Sequence, residues 1–293
     1  MSVYKQQRNN IFKTWVLIFI FIFLISIVCY GVGFITKNPL IGYFGFAISI
    51  GQSFIGYFFG GSLAISSAGG VQIDQKTEPE IYNIVENLSK IAGIPIPKIF
   101  ISPDPSANAF ACGRDPKHAN ICLNQGILEL LDKNELEGVI AHELSHIKNR
   151  DILIMTLTMV LTSVITLITD IAFRSMFFSR NSDDNDNKSP IIFILYIVVL
   201  MISPIISAVI SMAVSREREF LADATAITLT RYPGGLISAL EKLYKSPIPT
   251  EHFSASTSHF YISPPKKTFG EKVSHLFSTH PKIEERILAL REM

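Results

Sequence analysis

The sequence predicts a mostly helical α+β membrane protein, with four transmembrane helices and a water-exposed domain that carries a small β-sheet. Three observations lead there. Apolar residues fall in blocks: 48% of the 293 residues are hydrophobic and only 17% are charged, against roughly 25% charged in an average soluble domain. Lys and Arg are spread unevenly around those blocks. The two polar segments show helix and strand punctuation, and the first contains His142-Glu143-Leu144-Ser145-His146.

Residues 1–70 read as an N-terminal membrane hairpin with crossings at about 15–35 and 39–65. Both stretches lack charge, and each supplies the roughly 20 apolar residues that span a hydrocarbon core of about 30 Å. The first is too long for the apolar part of a signal peptide, and no small-residue cleavage site follows, so it reads as a retained anchor. Residues 152–214 read as a second hairpin, with crossings at about 152–173 and 190–214 and a polar turn at 181–188. Only Asp170 interrupts the third block. One very apolar buried hairpin is the alternative, and the density of Ile, Leu, Val and Met favours crossing. Lys5, Arg8 and Lys13 precede the first block, Lys148 and Arg150 the third, and Arg216 and Arg218 follow the fourth. The first connection has only Lys37, while Arg174, Arg180 and Lys188 weaken the contrast in the last. The bias places the N-terminus inside, and four crossings return 71–151 and 215–293 to that same side.

Within 71–151, Thr77 and Glu80 have capping-box spacing with Pro79 in the first turn, so a helix runs to about 91, ended by Gly93 and Pro95. Residues 98–102, 107–112 and 119–123 read as strands, the last two joined by a turn at 113–117. Helices follow at about 127–132 and 133–149. In 215–293 a helix over 215–230 is stopped by Pro233-Gly234-Gly235, and another covers about 236–244. Residues 246–268 are a Ser-, Thr- and Pro-rich loop, and a last helix covers about 281–291.

Net charge is +1 and no basic run is interleaved with aromatics, so nucleic acid is not an expected partner. Cys29, Cys112 and Cys122 include no CxxC pair. A disulfide or half a metal site between Cys112 and Cys122 is conceivable; packed, reduced thiols are the plainer reading.

On a helix, positions four apart share a face, so His142 and His146 can point the same way. Two imidazoles so spaced can bind one zinc ion, and Glu143 can reach a water held by it, the minimal equipment for hydrolysing a peptide bond. A chance match on an exposed helix is the alternative, and the apolar frame of Val139, Ile140, Ala141, Leu144 and Ile147 argues against it. A catalytic zinc takes three protein ligands and keeps one position open. Glu219 and Asp223 are also four apart: Glu219 can be the third ligand, and Asp223 can accept the free ring N–H of a ligating histidine. The competing reading is an exposed, salt-bridged Arg-Glu-Arg-Glu helix end, with Glu217 as rival ligand on a face away from Asp223. About 9 Å of helix separates His146 from the third block. The metal therefore belongs at the membrane surface rather than its midplane.

VIAHELSHIKNRD, then an apolar segment, then SREREFLADA, resembles the HtpX family of membrane-bound heat-shock zinc proteases, relatives of the CAAX prenyl proteases. SANAFACGRDPKHA and THPKIEERILAL resemble the same family, and the resemblance covers most of the chain. It implies a zincin-like metalloprotease domain, split between 71–151 and 215–293. The implied activity is a zinc endopeptidase that cleaves misfolded or damaged membrane proteins at the cytoplasmic face of the plasma (inner) membrane, in quality control and stress response. Position by position, it implies one Zn2+ per chain held by His142, His146 and Glu219, with Glu143 as catalytic base and Asp223 behind a ligand. It implies His280 and Arg286 near the scissile carbonyl, and a substrate-pairing edge at Asn108, Ala109 and Phe110. Partners are then polypeptide substrates and the lipid bilayer. Cys112 stands where a small or hydroxyl residue is expected.

Read without the resemblance, His280 before Pro281 is a loop histidine at a helix start. Arg286 beside Glu284 and Glu285 is a solvated helix charge, and Asn108 could bind substrate backbone or cap its strand. His118, His252, His259 and His275 read as exposed. Other functions stay open: a non-catalytic metal-binding membrane protein, an inactive scaffold, or a prenyl-protein-type protease. A transporter would place ionisable groups at mid-membrane, where these blocks have almost none.

Overall fold

A small mixed sheet lies between two sets of helices, one from the apolar blocks and one from the polar segments. The computed structural model describes residues 3–35, 37–161, 216–245 and 281–293. The expected fourth crossing, most of the third, the loop at 246–268 and His280 lie outside the described residues.

Helices α1 (Val3–Ile35) and α2 (Leu40–Ser67) pack along each other as a hairpin. Within them, Asn10–Gly31 and Gly42–Ser67, of 22 and 26 residues, are long and apolar enough to cross a membrane by length and composition. Phe12, Trp15, Phe19, Tyr43, Phe44 and Phe54 are exposed on their outer faces. The inner faces bury Leu17, Ile18, Phe21, Ala64 and Ile65 against the sheet and against an apolar helix α6, described over Ile152–Leu161. Gly60 permits the close approach of α6, since a Cβ there would lie 2.7 Å from the Thr156 methyl carbon.

The sheet runs β1 (Val71–Ile73), β2 (Lys98–Ser102), β4 (Ala119–Asn124), β3 (Ala109–Gly113). The β1–β2 and β3–β4 pairs are antiparallel and β2–β4 is parallel. Successive side chains alternate faces. Ala111, Ile121 and Leu123 join the core of the polar-segment helices, and Phe110, Cys112 and Cys122 face the apolar helices. Burial on both faces explains why β3 reads as an unbroken apolar run and why Ile121-Cys122-Leu123 of β4 does so too. In register, Cys112 opposes Asn120 and Cys122 opposes Phe110, so the two thiols do not face each other. Both are free and buried, and burial raises their pKa values.

On the other face, α3 (Pro79–Ala92), α4 (Gln125–Leu130), α5 (Lys133–Lys148), α7 (Arg216–Thr230), α8 (Pro233–Lys245) and α9 (Ile283–Arg291) surround one core. Helix α5 runs through its middle and buries Leu136, Val139, Ile140, Leu144 and Ile147, each worth about 2 kcal/mol in apolar transfer. Gly138 sets its distance from α8: a Cβ there would lie 2.7 Å from the Leu236 amide nitrogen.

Three expectations change. Thr77 caps no helix; its hydroxyl and amide turn back to Asp74, whose Oδ1 also accepts the Lys76 N–H. The N-cap of α3 is Glu78, with no side-chain cap bond. The capping box sits instead at α5, where Asp132 accepts from the Asn134 and Glu135 amides and Glu135 accepts the Asp132 N–H. Pro233 opens α8 rather than ending the helix before it, since its fixed φ suits a first helical turn. Strand β1 is unexpected: its apolar–polar alternation, Val71-Gln72-Ile73, spans only three residues, too few to mark a strand.

Glu135 also joins α5 to α8, accepting from Ser238 and, at 2.6 Å, from Lys242. Burial pushes its carboxyl up, but the Lys242 and Ser238 bonds outweigh that and hold it below the usual range. Glu135→Ala is expected to lower stability by about 2–3 kcal/mol at pH 7, through a lost cap and a broken ion pair. A depressed carboxylate stabilises above its unfolded pKa and loses that contribution as pH falls through its folded one. The gap in thermal unfolding between wild type and variant should therefore narrow at acid pH; an equal gap at pH 7 and pH 3.5 would contradict this account.

Candidate metal centre

The site forms where α5, α7 and α9 meet beneath β3. On α5, one turn sets His142 above His146, with their Nε2 atoms 3.2 Å apart. From α7, Glu219 brings Oε2 to 3.7 Å from His142 Nε2 and Oε1 to 3.7 Å from His146 Nε2. One ligand atom from each of His142, His146 and Glu219 lies within 4.8 Å of the others. Glu217 is exposed and does not enter the group.

Each imidazole is held from behind. His142 Nδ1 lies 2.9 Å from Asp223 Oδ1, four residues along α7 from Glu219. His146 Nδ1 lies 3.2 Å from Asp151 Oδ2. Such a bond on Nδ1–H leaves Nε2 as the lone-pair nitrogen. Asp151 arrives by a helix stop: Arg150 takes a φ of 59°, and the Asp151 amide donates to the His146 carbonyl at 2.9 Å. Arg286 of α9 is fully buried and grips Asp223 with two bonds, Nε to Oδ2 at 2.8 Å and Nη2 to Oδ1 at 2.6 Å. Its Nη1 lies 3.7 Å from Glu219 Oε2. Arg218 is buried beside Asp151 and Glu219.

Burial dominates the electrostatics. It pushes Glu143 up to about 8, with Glu219 adding to the rise and His146 and the Ala111 N–H opposing it. Burial and the Arg286 charge lower His142. Burial also works against protonated His146, but the Asp151 bond and the Glu219 charge prevail and raise it to about 9. Burial disfavours ionised Asp223; the Arg286 charge and bonds overcome it and hold its carboxyl below the ordinary range.

This donor set fits a divalent cation. Two imidazole nitrogens and one carboxylate are the protein part of a catalytic zinc site with one position open. Charge agrees: Glu143, Asp151, Glu219 and Asp223 are four buried carboxylates against the two buried guanidinium groups of Arg218 and Arg286. With both imidazoles neutral and all four carboxylates ionised, the protonation state that a bound dication itself favours, the excess is two negative charges, which the dication neutralises.

Among the expected residues, Glu143 lies on α5 beside the ligand group, and Asn108, Ala109 and Phe110 are buried at and just before β3. β3 is the last strand of the sheet. The Asn124 amide donates to the Asn108 carbonyl, so alternation turns the main-chain groups of Ala109, Ala111 and Gly113 to the outer edge. Gly113 N–H is taken by Thr156 Oγ1 at 2.9 Å, and Ala111 N–H reaches Glu143. Asp151, Arg218 and Ala111 escaped sequence reasoning. Only Asp151 had a local signal, an acid five residues past His146 at the foot of an apolar block.

A helix-borne histidine pair, a neighbouring glutamate and a remote carboxylate together define a metalloprotease. The chain belongs to peptidase family M48, whose profile matches residues 75–293. Full-length relatives carry the description "Protease HtpX homolog". That of Caldanaerobacter subterraneus subsp. tengcongensis is 39% identical, over 100% of this chain and 98% of that one. That of Tropheryma whipplei is 40% identical over 99% and 98%, and that of Dictyoglomus thermophilum 41% over 100% and 95%. The crystal structure of S. mikatae Ste24p shares the fold, with a TM-score of 0.50 at 18% identity, covering 98% of this chain and 67% of that one.

Proposed function

We propose that this chain is a membrane-anchored zinc endopeptidase that cleaves misfolded or damaged membrane proteins at the cytoplasmic face of the plasma membrane. The convergence of His142, His146 and Glu219 beside Glu143 carries the reading. Those three residues would hold the zinc, which when bound supplies a Lewis acid and a water of lowered pKa. Glu143 takes a proton from the attacking water and later gives it to the leaving amine. Asp223 and Asp151 keep the two imidazoles in the tautomer that presents Nε2 inward. Arg286, anchored on Asp223, and His280 offset the negative charge that develops on the scissile carbonyl oxygen.

Extended substrate would add to the outer edge of β3, over Asn108, Ala109 and Phe110. Main-chain pairing of this kind leaves side-chain selectivity loose. Because β3 is buried along its length, pairing requires the edge to be uncovered first.

Four crossings, at about 15–35, 39–65, 152–173 and 190–214, would divide the chain into two membrane hairpins and a protease domain in two parts, 71–151 and 215–293. The exposed aromatics of α1 and α2 support lipid contact. Asn10 of α1 touches Asn149 and Asp151, which supports a shared side for the N-terminus and the metal site.

Purified full-length protein in detergent is expected to hold one zinc per chain and to cleave an unfolded test protein. A chelator should stop cleavage and added zinc restore it. Ligating imidazoles must be neutral, and against the effect of burial Asp151 and Glu219 raise His146 to about 9, so zinc affinity should already fall as pH drops below about 9. Cleavage that persists at full rate after complete zinc removal would refute the reading.

A further inference from the structure

We propose that Asn10, in the first apolar helix, is a positioning residue for the metal ligand His146, so that its side-chain amide, acting through the Asp151 carboxylate, sets how tightly the site holds its metal. The inference rests on the ligand assignment above. Asn10 Nδ2 donates to Asp151 Oδ1 at 2.5 Å and to the Asn149 carbonyl at 3.2 Å. The other oxygen of the same carboxylate, Oδ2, lies 3.2 Å from His146 Nδ1. One carboxylate thus joins a candidate membrane helix to a metal ligand, through three residues that are each at most 3% exposed.

The two bonds act on one rigid group. A carboxylate held at a single oxygen can rotate about its Cβ–Cγ bond. A donor on each oxygen fixes its plane, and with it the imidazole whose Nδ1–H it accepts. Arg218, buried with its charge beside Asp151, is a competing partner toward which a released Asp151 can turn. Asn10 in turn is held by its helix. Thr14 Oγ1 donates to the Asn10 carbonyl at 2.8 Å, and Leu17, Ile18 and Phe21 seat the next turns of α1 in the core shared with α6 and the sheet. An amide at the start of an otherwise apolar stretch, spent on an acid that touches a ligand, has a purpose beyond anchoring.

The test is metal affinity of the full chain in detergent, by competition with a chromophoric chelator for zinc(II) and cobalt(II), with the cobalt visible spectrum as a reporter of ligand geometry. Asn10→Ala is expected to weaken binding about tenfold, the low end for outer partners of metal-ligating histidines, and to alter the cobalt band. Asn10→Ser, which keeps a short donor, should fall between it and wild type. Leu17→Ala loosens the same helix without touching the Asn10 bonds, and should stay within about twofold of wild type. The proposal is overturned if Asn10→Ala binds metal like wild type, or if Leu17→Ala loses as much affinity. Should Asn10→Ala fail to fold, Asn10→Ser decides by the same comparison. Wild type binding no metal, or His146→Ala binding as tightly as wild type, would refute the ligand assignment itself, a distinct result.

Discussion

Replacing Glu143 with Gln is expected to leave the metal in place and to slow peptide cleavage by about 10²–10⁴-fold, the contribution of a well-placed general base. The substitution keeps the shape of a side chain that is only 3% exposed. An amide oxygen can still accept the Ala111 N–H that reaches Glu143. No ligand atom is removed, and what is lost is the capacity to take a proton. The buried cluster also loses one of its two excess negative charges, so zinc affinity should soften without vanishing. Zinc content and the cleavage rate of an unfolded test protein, measured on the same preparations, give the answer. A variant that retains its zinc and cleaves within tenfold of wild type would remove Glu143 from the role of base.

Glu219→Ala should release the metal, weakening zinc by more than about 100-fold, beyond what outer partners of ligands typically supply. Two effects combine. The third ligand is gone, and Arg286, whose Nη1 lies 3.7 Å from Glu219 Oε2, then faces the pocket with less negative charge beside it. Glu219→Gln separates the two, since it keeps the volume while removing the charge. Glu217→Ala is the natural comparison, two residues away on the exposed face of α7. Its zinc content after dialysis should match wild type. If the Glu217 variant lost zinc and the Glu219 variant kept it, the two carboxylates would have to exchange roles.

Much of the scaffold could be read residue by residue. The last three strands fall within two residues of their expected bounds, and α5 within one. Their signals are local: an apolar run, a turn, a cap. The misplaced capping box shows the limit of such signals. Thr77 and Glu80 have the same spacing as Asp132 and Glu135, but Asp74 already engages the Thr77 hydroxyl and amide. Two local hydrogen-bonding schemes competed, and spacing alone does not rank them. Arg286 is the sharper case. Following Glu284 and Glu285 on a short helix it reads as solvated, yet it is fully buried and bound to Asp223. Nothing within α9 announces that, because its partner sits 63 residues away on α7.

The sequence by itself determined that two imidazoles share one face of a helix, that Glu219 and Asp223 share one face of another, and that long uncharged stretches accompany them. Helical periodicity and hydropathy are properties of neighbouring residues, so they survive without the fold. Tertiary structure alone decided that Glu219 rather than Glu217 meets the histidines, that Asp151 backs His146, and that Asn10 reaches Asp151 from the first helix. Those contacts join separate elements, and only the burial of apolar faces around α5 brings the elements close enough for a carboxylate to find its partner.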